Sequence, residues 1–519
     1  MHASATAGAT REAAASEPTP RSGRSISWRT GALLVAVGFA LSRVAIARAG
    51  VRFVDIPLND AFQLLDRGSL REELFTSLAH LHTQPPLFNL FVGLGLHAPQ
   101  AWETAIFRAA YLGMGLGLAL GLYAVLTRLG VRAGVAAVLS LVFSISPSVF
   151  LYEHWLHYDL PVTLLLVLAV LALQRYEDGH RRRDAAVFFA ILAAVVLTRS
   201  LFHVVWLAGW VVVLVLHRRR ADWRRVAVAA ALPLVVVVGV YANSLRVAGS
   251  FSSSTALGVS LAKMTTFQLT EEQRQDLVAR GELSPMALVE PMSPLESYRE
   301  VVPFRAPTGV AVLDDEAKGI YTDPDTNEVF RHNMNNLTFV DVSNRYTEDA
   351  LRTLRIRPGA YLQAVLTAYD VFFRPASDYF TLRENRPQVA GLDRLYNAAL
   401  YGVVGGGEPS FVLPEARVQY RQGPGRTAWF VVVGYAVALV GGAWAMWRRR
   451  SGGGDGPSPL VLGFLWSTTM WVMVVGNALE VGENNRFRLY SEPLVIALLA
   501  ALAVMWRRRR SRLPLEAAS

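Results

Sequence analysis

Two polar stretches interrupt long apolar runs and carry side chains capable of chemistry. The first, "EHWLHYD", holds Glu153, His154 and His157, which would share one face if the stretch were helical. Such a face can ligate a metal ion. The same stretch also fits an interfacial belt, with Trp155 and Tyr158 at the level of the lipid headgroups. A divalent metal site and a membrane-surface belt therefore both remain open for this stretch.

The second stretch, "GENNRFRLYSEP", contains Arg486 and Arg488, and Arg199 lies in a third stretch, "TRSLFH". Guanidinium groups bind phosphate through paired hydrogen bonds. We therefore predict that these three arginines are phosphate ligands. For Arg488, an ion pair with Glu492 four residues along a helix is the alternative.

Asp60, in "DIPLNDAF", stands directly before a helix-like apolar stretch. Its carboxylate has the chemistry of a general base, which we predict as its role, while a helix N-cap is the alternative interpretation. The run "GSFSSSTALG" could cradle a phosphate with its N–H groups, or it could be a simple linker. The predicted substrate-binding residues are His82, Gln84, His157, His203 and Glu483.

The surrounding composition is that of a protein with several membrane spans. Of 519 residues, 52% are hydrophobic and only 18% are charged, and several apolar runs approach the length of a bilayer-spanning helix. The net charge of +10 comes from short arginine clusters beside these runs, a pattern typical of cytoplasmic loops. Nucleic acid is therefore not an expected partner. Cysteine is absent, which excludes disulfides and cysteine-ligated metals.

The arginine clusters also predict the membrane topology of the chain. If residues 85–100 form a helix lying on the outer surface, every basic loop falls in the cytoplasm; if they cross the membrane, several loops fall outside. We therefore predict an all-α polytopic membrane protein with an outer-surface juxtamembrane helix and about ten transmembrane helices. The ten spans are expected near 30–48, 103–127, 134–150, 159–174, two short halves within 185–217, 226–243, 427–447, 459–477 and 489–506.

The predicted domain order follows from this topology. It is a disordered cytoplasmic tail (1–28), an N-terminal transmembrane region (29–243) with a first outer loop (50–84) and the surface helix (85–100), a mixed extracytoplasmic domain (244–426), C-terminal transmembrane helices (427–506) and a cytoplasmic tail (507–519). The polar segments then gather on the outer side. That arrangement favours a one-sided site over a conduit through the membrane.

These features together resemble the GT-C superfamily of membrane glycosyltransferases, in particular the protein O-mannosyltransferase and lipid A aminoarabinose transferase group (glycosyltransferase family 39-like). The matching stretches are "NDAFQLL", "HTQPPLFNLFVGL", "FRAAYLGMGLGLALGLYAVLTRLG", "LVFSISPSVFLYEHWLHYDLPVTLLLVLAVLAL" and "ENNRFRLYSEP". The sequence departs from the group at two points. Gln84 stands where a basic residue is frequent, and Asp60 is followed by Ala61 where the group often has a second carboxylate.

The resemblance implies sugar transfer from a polyprenyl-phosphate donor, as co-substrate, to an envelope glycolipid, polysaccharide or protein. It implies a site on the extracytoplasmic side of a bacterial cell membrane, with Asp60 as its catalytic carboxylate. The expected partners are the lipid-linked donor, the envelope acceptor and membrane lipids. A lipid-linked sugar transporter or flippase would show inverted repeats and midplane polar residues, and it remains an alternative, as does a membrane sensor.

Overall fold

The computed structural model describes residues 26–217, 223–317, 321–322, 329–330, 333–404, 426–450 and 456–510. Within these ranges the side chains of Asp60, Phe380, Arg450 and the four residues 321, 322, 329 and 330 lie outside the description. The described chain is almost entirely helical, which agrees with the all-α prediction. The predicted N-terminal tail falls largely outside the described residues.

Short and long helices alternate in the first half of the chain. In order they are α1 (Trp28–Arg48), α2 (Pro57–Asp60), α3 (Arg67–Glu72), α4 (Leu74–Ala79), α5 (Pro86–Leu96), α6 (Glu103–Arg128), α7 (Ala133–Ser144), α8 (Pro147–Glu153), α9 (Asp159–Gly179), α10 (Arg182–Thr198), α11 (Val204–His217) and α12 (Trp223–Ala248).

The second half begins with shorter helices and ends with three long ones. They are α13 (Leu257–Met264), α14 (Glu271–Ala279), α15 (Ala311–Asp314), α16 (Thr338–Ile356), α17 (Pro358–Phe372), α18 (Arg386–Tyr396), α19 (Trp429–Arg450), α20 (Pro459–Leu479) and α21 (Asn484–Arg510). A π-helical turn, Asn397–Tyr401, follows α18. Short 3₁₀ turns are Gln100–Trp102, Thr266–Gln268, Pro285–Leu288, Leu295–Tyr298, Ala376–Asp378 and Phe380–Asn385.

Extended structure in the described chain is limited to two antiparallel pairs of two-residue strands. β1 (Tyr321–Thr322) pairs with β2 (Val329–Phe330), and β3 (Val403–Val404) pairs with β4 (Thr427–Ala428). The insertion was predicted to be mixed; its described part is mostly helical and contains only the short strands β1, β2 and β3. The reason is visible in α16, whose buried residues recur at the three-to-four-residue spacing of a helix and pack into an apolar cluster with α13 and α17.

Seven helices in the described chain are long and apolar enough to cross a membrane: α1, α6 with its preceding 3₁₀ turn, α9, α12, α19, α20 and α21. The protein is therefore a helical, multi-pass membrane protein. The exposed side chains of α1, α12 and α19 include many leucines and valines. Such residues suit helices that face lipid.

The predicted span 134–150 is instead a bent pair, α7 and α8, with an angle of 61° between them. The break lies before Pro147, because a proline disfavours helical backbone in the residue that precedes it. The Ser146 hydroxyl then caps α8 by accepting from the Val149 N–H at 3.3 Å. Counted as one span, the pair raises the candidate total to eight.

The helices at the two places predicted to be short are indeed short. α5 has 11 residues, so its length of about 16 Å is well below the roughly 30 Å hydrocarbon core. α10 and α11 have 17 and 14 residues and are separated by residues 199–203, where the turn was predicted. At the C-terminus the arginine run 507–510, predicted as tail, still belongs to α21, and residues 511–519 lie outside the description.

Candidate functional site

The candidate site lies at the start of α9, in the interior of the bundle. α9 and α21 have the largest buried shares of the candidate spans, and they pack on each other. The connection from α8 to α9, residues 154–158, is not helical. The first loop is hydrogen-bonded to it: the Val54 N–H donates to the His154 carbonyl at 2.7 Å, and the Leu156 N–H donates to the Val54 carbonyl at 3.0 Å. Two distant polar segments therefore meet here.

A buried histidine and aspartate form the base of the site. His157 Nδ1 lies 2.7 Å from Asp159 Oδ2, and the Tyr490 hydroxyl donates to the other carboxylate oxygen. The Tyr111 hydroxyl donates to the His157 carbonyl at 2.5 Å. With Nδ1–H directed at the carboxylate, Nε2 is the imidazole nitrogen able to accept a proton. The tyrosines from α6 and α21 thus fix the start of α9 from both sides.

Two arginines from different helices lie around the Tyr158 ring. The Arg199 guanidinium is 4.8 Å from the ring centroid and donates to the Tyr158 hydroxyl. The Arg486 guanidinium is 5.8 Å from the same centroid and 5.2 Å from that of Tyr379. Arg486 also pairs with Glu483 through Nη2 and Oε2 at 2.5 Å. The structure therefore brings together Arg199, Arg486, Glu483 and His157, four of the residues predicted from sequence.

Arg199 differs from Arg486 because its hydrogen-bond partner is a phenol and it forms no ion pair among the described residues, although Asp159 and Glu483 lie within electrostatic reach. Its side chain is 8% exposed, and in the described chain it makes no ion pair. Its Nε has no hydrogen-bond partner there either, and the same is true of Arg486 Nε. A desolvated guanidinium is costly unless an anion or a hydrogen-bond acceptor meets it. The arrangement is therefore suited to accept an anionic group beside Tyr158.

Arg488 does not join this pair, contrary to the sequence prediction of a shared phosphate site. Two residues along a helix correspond to a rotation of about 200°, so Arg486 and Arg488 leave α21 on opposite sides. The Arg488 guanidinium lies 5.1 Å from the Tyr401 ring and is fully buried. Its three nitrogens lack hydrogen-bond partners, and no ion pair with Glu492 forms within the described chain. The alternative predicted for Arg488 therefore does not form either.

His82 and Gln84 lie at a different junction, between the first loop and the insertion. The two ring nitrogens of His82 lie 2.9 Å from the Thr255 hydroxyl and 2.9 Å from the Asn335 carbonyl. The Ser254 hydroxyl donates to the Thr83 carbonyl at 2.7 Å. Both ring nitrogens are thus used for docking, which differs from the substrate contact predicted for His82. The serine-rich run 249–258, a candidate phosphate cradle, therefore packs at this junction. Gln84 is buried, and its Oε1 has no hydrogen-bond partner among the described residues.

Acidification is expected to weaken this junction. Burial lowers the pKa of His82 from 6.5 to about 4, with a smaller contribution from Arg305, while the hydrogen bond to Asn335 acts in the opposite direction. Between those pH values the unfolded chain binds a proton that the folded protein excludes, so stability falls as pH falls, by up to about 3 kcal/mol. Unfolding measured from pH 7 to 4.5 should show this loss in the wild type and a smaller one in His82→Gln. Parallel pH curves for the two proteins would contradict it.

Of the remaining predicted site residues, His203 lies apart from the group around Tyr158, and the side chain of Asp60 is outside the described residues. His203 stacks edge-on against Tyr241 at 5.3 Å, and its Nδ1 accepts from the Val205 N–H at 3.3 Å. Asp60 is the last residue of α2, but its side chain lies outside the described residues. Phe62, two residues further on, packs against the apolar cluster that contains Val481.

The metal-ligand set predicted from "EHWLHYD" is not assembled in the described structure. Its premise was a continuous helix, but α8 ends at Glu153. The Glu153 carboxylate is instead bound by Arg43 at 2.8 and 2.6 Å, and His154 Nδ1 faces the Phe150 carbonyl at 2.9 Å. Among the described residues no group of three histidine or acidic side chains is placed to hold a metal.

Sequence reasoning missed several residues that shape the site. Tyr158 and Tyr379 flank the arginines, and only the position of Tyr158 beside His157 offered a signal. Lys263 pairs with Glu480 at the end of α20, an interaction between segments too distant in sequence to be anticipated. Arg43 was detectable, because an arginine inside an apolar span is unusual and needs a partner.

The fold and the site define a multi-pass helical membrane protein with a buried arginine, tyrosine and histidine cluster at the junction of α8, α9 and α21. No family model, curated protein or solved structure matches this chain.

Proposed function

We propose that this protein is a GT-C-type glycosyltransferase of the bacterial cell membrane, which transfers a sugar from a polyprenyl phosphate to an envelope acceptor at the extracytoplasmic face. The observation that carries the proposal is a pair of buried arginines beside the Tyr158 ring. Arg199 has a phenol as its hydrogen-bond partner, and the guanidinium carbons of Arg199 and Arg486 lie 4.8 and 5.8 Å from the ring centroid. A lipid phosphate is an anion already held at the membrane, and it fits such a pair.

The proposed reaction is a single displacement at the anomeric carbon. Asp60 takes the proton of the acceptor hydroxyl, whose oxygen forms the new glycosidic bond. The bond from the anomeric carbon to the phosphate oxygen breaks, and its electron pair leaves with the polyprenyl phosphate. Arg199 and Arg486 stabilise the charge that grows on that phosphate. Attack opposite to the leaving group inverts the anomeric configuration.

The other charged groups of the cluster have positioning roles in this scheme. Glu483 holds Arg486 by a 2.5 Å ion pair, and Asp159 holds the His157 ring. His157 then lies beside Tyr158, with the two ring centroids 3.9 Å apart, and it is proposed to contact the sugar. Arg488 is buried on the far side of α21 and is left out of the donor phosphate site.

Asp60→Asn is expected to slow transfer by about 10²–10⁴-fold, because the amide cannot accept the acceptor proton. The assay supplies purified protein in lipid nanodiscs with labelled polyprenyl-phosphate sugars and envelope extract. Asp55→Asn is the matched control, since Asp55 lies in the same loop and accepts a hydrogen bond from Thr104 at 2.7 Å. Absence of transfer by the wild type with every donor would remove the proposed function. Full activity of Asp60→Asn alone would remove only its role as base.

The side of the membrane and the span count of about ten are part of this proposal. A periplasm-active reporter fused after Gln100 is expected to be active, and one fused after Gly130 inactive, because α5 is too short to cross while α6 is long enough. The reversed pattern would show that the segment before Gln100 crosses the bilayer. The predicted extracytoplasmic site would then face the cytoplasm.

A further inference from the structure

The corner between α16 and α17 combines exposed leucines with arginines that form no ion pair among the described residues. The segment from Leu351 to Leu366 contains three arginines and no acidic residue. Leu362 and Leu366, one helical turn apart on α17, are 59% and 63% exposed. Further exposed residues of this corner are Leu351, Arg352, Leu354, Arg355, Ile356 and Arg357. We name residues 351–366 the basic corner.

α17 lies against the ends of three candidate spans that share one side of the bundle. The Tyr361 hydroxyl donates to the carbonyl of Ala478, the penultimate residue of α20, at 3.0 Å. Directly after α17, the Phe373 carbonyl accepts at 2.8 Å from the N–H of Ala428, which precedes α19. Asn485, at the start of α21, donates to the Pro375 carbonyl at 3.2 Å. The ends of spanning helices lie close to the level of the lipid headgroups, which places α17 and the residues that follow it near that level.

The charges of the corner complement an anionic surface. Arg352 donates to the Glu282 carbonyl at 3.4 Å and lies within electrostatic reach of the Asp349 carboxylate. Among the described residues Arg355 and Arg357 form no ion pair. The nearest acids along the chain are already engaged, since Asp349 is buried against Ser284, Glu348 pairs with Arg345 and Asp370 pairs with Arg374. Arginines alternating with leucines are the pattern of helices that lie in the headgroup layer.

We propose that the basic corner is inserted in the headgroup region of the bilayer and binds the phosphates of anionic phospholipids. Its leucines enter the upper acyl region while Arg352, Arg355 and Arg357 contact the headgroups. The insertion is thereby held against the membrane surface beside α19, α20 and α21. This binding requires only that the chain spans a membrane, and it is independent of sugar transfer.

The absence of cysteine allows a direct test by single-site spin labelling of the full chain. A nitroxide on Leu362→Cys is compared with one on Glu348→Cys, an exposed position of α16 outside the corner. In nanodiscs of phosphatidylglycerol and phosphatidylcholine, the Leu362 label should collide with oxygen several-fold more, relative to a water-soluble nickel chelate, than the Glu348 label. Equal ratios would overturn the insertion. Protection of the Leu362 label from both reagents would indicate a protein partner and also overturn it.

A second arm tests the anionic lipid specifically. Combining Arg352→Gln, Arg355→Gln and Arg357→Gln should lower the oxygen-to-nickel ratio at position 362 in discs with phosphatidylglycerol, to the value found in pure phosphatidylcholine. The matched control combines Arg280→Gln, Arg299→Gln and Arg345→Gln, three exposed arginines elsewhere in the insertion. It should leave the ratio unchanged, and equal behaviour of the two triple variants would overturn the headgroup assignment. Circular dichroism of both variants verifies that they are folded.

Discussion

Arg199→Gln and Arg486→Gln are each expected to slow sugar transfer by about 10²–10³-fold, the effect of removing one preorganised donor that stabilises transition-state charge. The two guanidinium groups lie around one ring, Tyr158, so they are placed to act on the same phosphate. Their effects should then be non-additive, with the double variant little slower than either single variant. The measurement is initial transfer rate at saturating acceptor with varied donor.

The control must separate lost chemistry from lost structure, because Arg486→Gln leaves the half-buried Glu483 without its ion-pair partner. Combining Arg486→Gln with Glu483→Gln removes both charges and should restore thermal stability without restoring activity. Arg345→Gln removes an exposed arginine and should change neither property. Strictly multiplicative effects of Arg199→Gln and Arg486→Gln, or wild-type rates in both, would contradict a shared phosphate site.

Arg43→Met is expected to lower the free energy of unfolding by about 3–5 kcal/mol, the usual cost of leaving one member of a buried ion pair unpaired. The pair is bidentate, with Arg43 7% exposed and Glu153 1% exposed. The guanidinium also lies 3.7 Å from the Phe39 ring centroid. Denaturant unfolding in detergent, monitored by tryptophan fluorescence, measures the loss.

Two companion variants sharpen that result. Arg43→Met combined with Glu153→Gln removes both charges at similar shape, and it should recover most of the lost stability. Breaking the exposed Arg345–Glu348 pair by Arg345→Gln should cost less than about 1 kcal/mol. A loss of that small size in Arg43→Met would mean that the buried pair does not tie α1 to α8 as the structure indicates.

Much of the architecture was predictable because each bilayer-spanning helix requires a run of apolar residues that can be counted along the sequence. Long apolar runs define spans, and the 11-residue α5 and the break at residues 199–203 follow from counting residues against bilayer thickness. The bend between α7 and α8 was missed, although Pro147 was visible, because composition alone does not separate a kinked span from a straight one. The prediction of a mixed insertion overlooked the helical spacing of the apolar residues of α16.

The candidate site was predictable in residue type but not in grouping. Arg199 and Tyr158 are 41 residues apart, and Arg43 and Glu153 are 110 apart. Sequence spacing therefore made Glu153 a candidate metal ligand, with an interfacial belt as the alternative, and left Arg43 unassigned. Glu483, directly before α21, and Arg486 are three residues apart, a spacing short enough for their pairing to be anticipated from the sequence.

The sequence by itself determined that the chain is a multi-pass helical membrane protein and that its arginines and histidines cluster in a few loops, since hydropathy and charge are local properties. The tertiary structure decided which of these side chains meet. Arg199 and Arg486 lie beside the same tyrosine ring, whereas Arg488 packs against Tyr401. His82 contacts the insertion through its ring nitrogens. Packing decides such partnerships, because a buried charge takes the partner that the neighbouring helices bring within hydrogen-bond reach, wherever that partner lies in the chain.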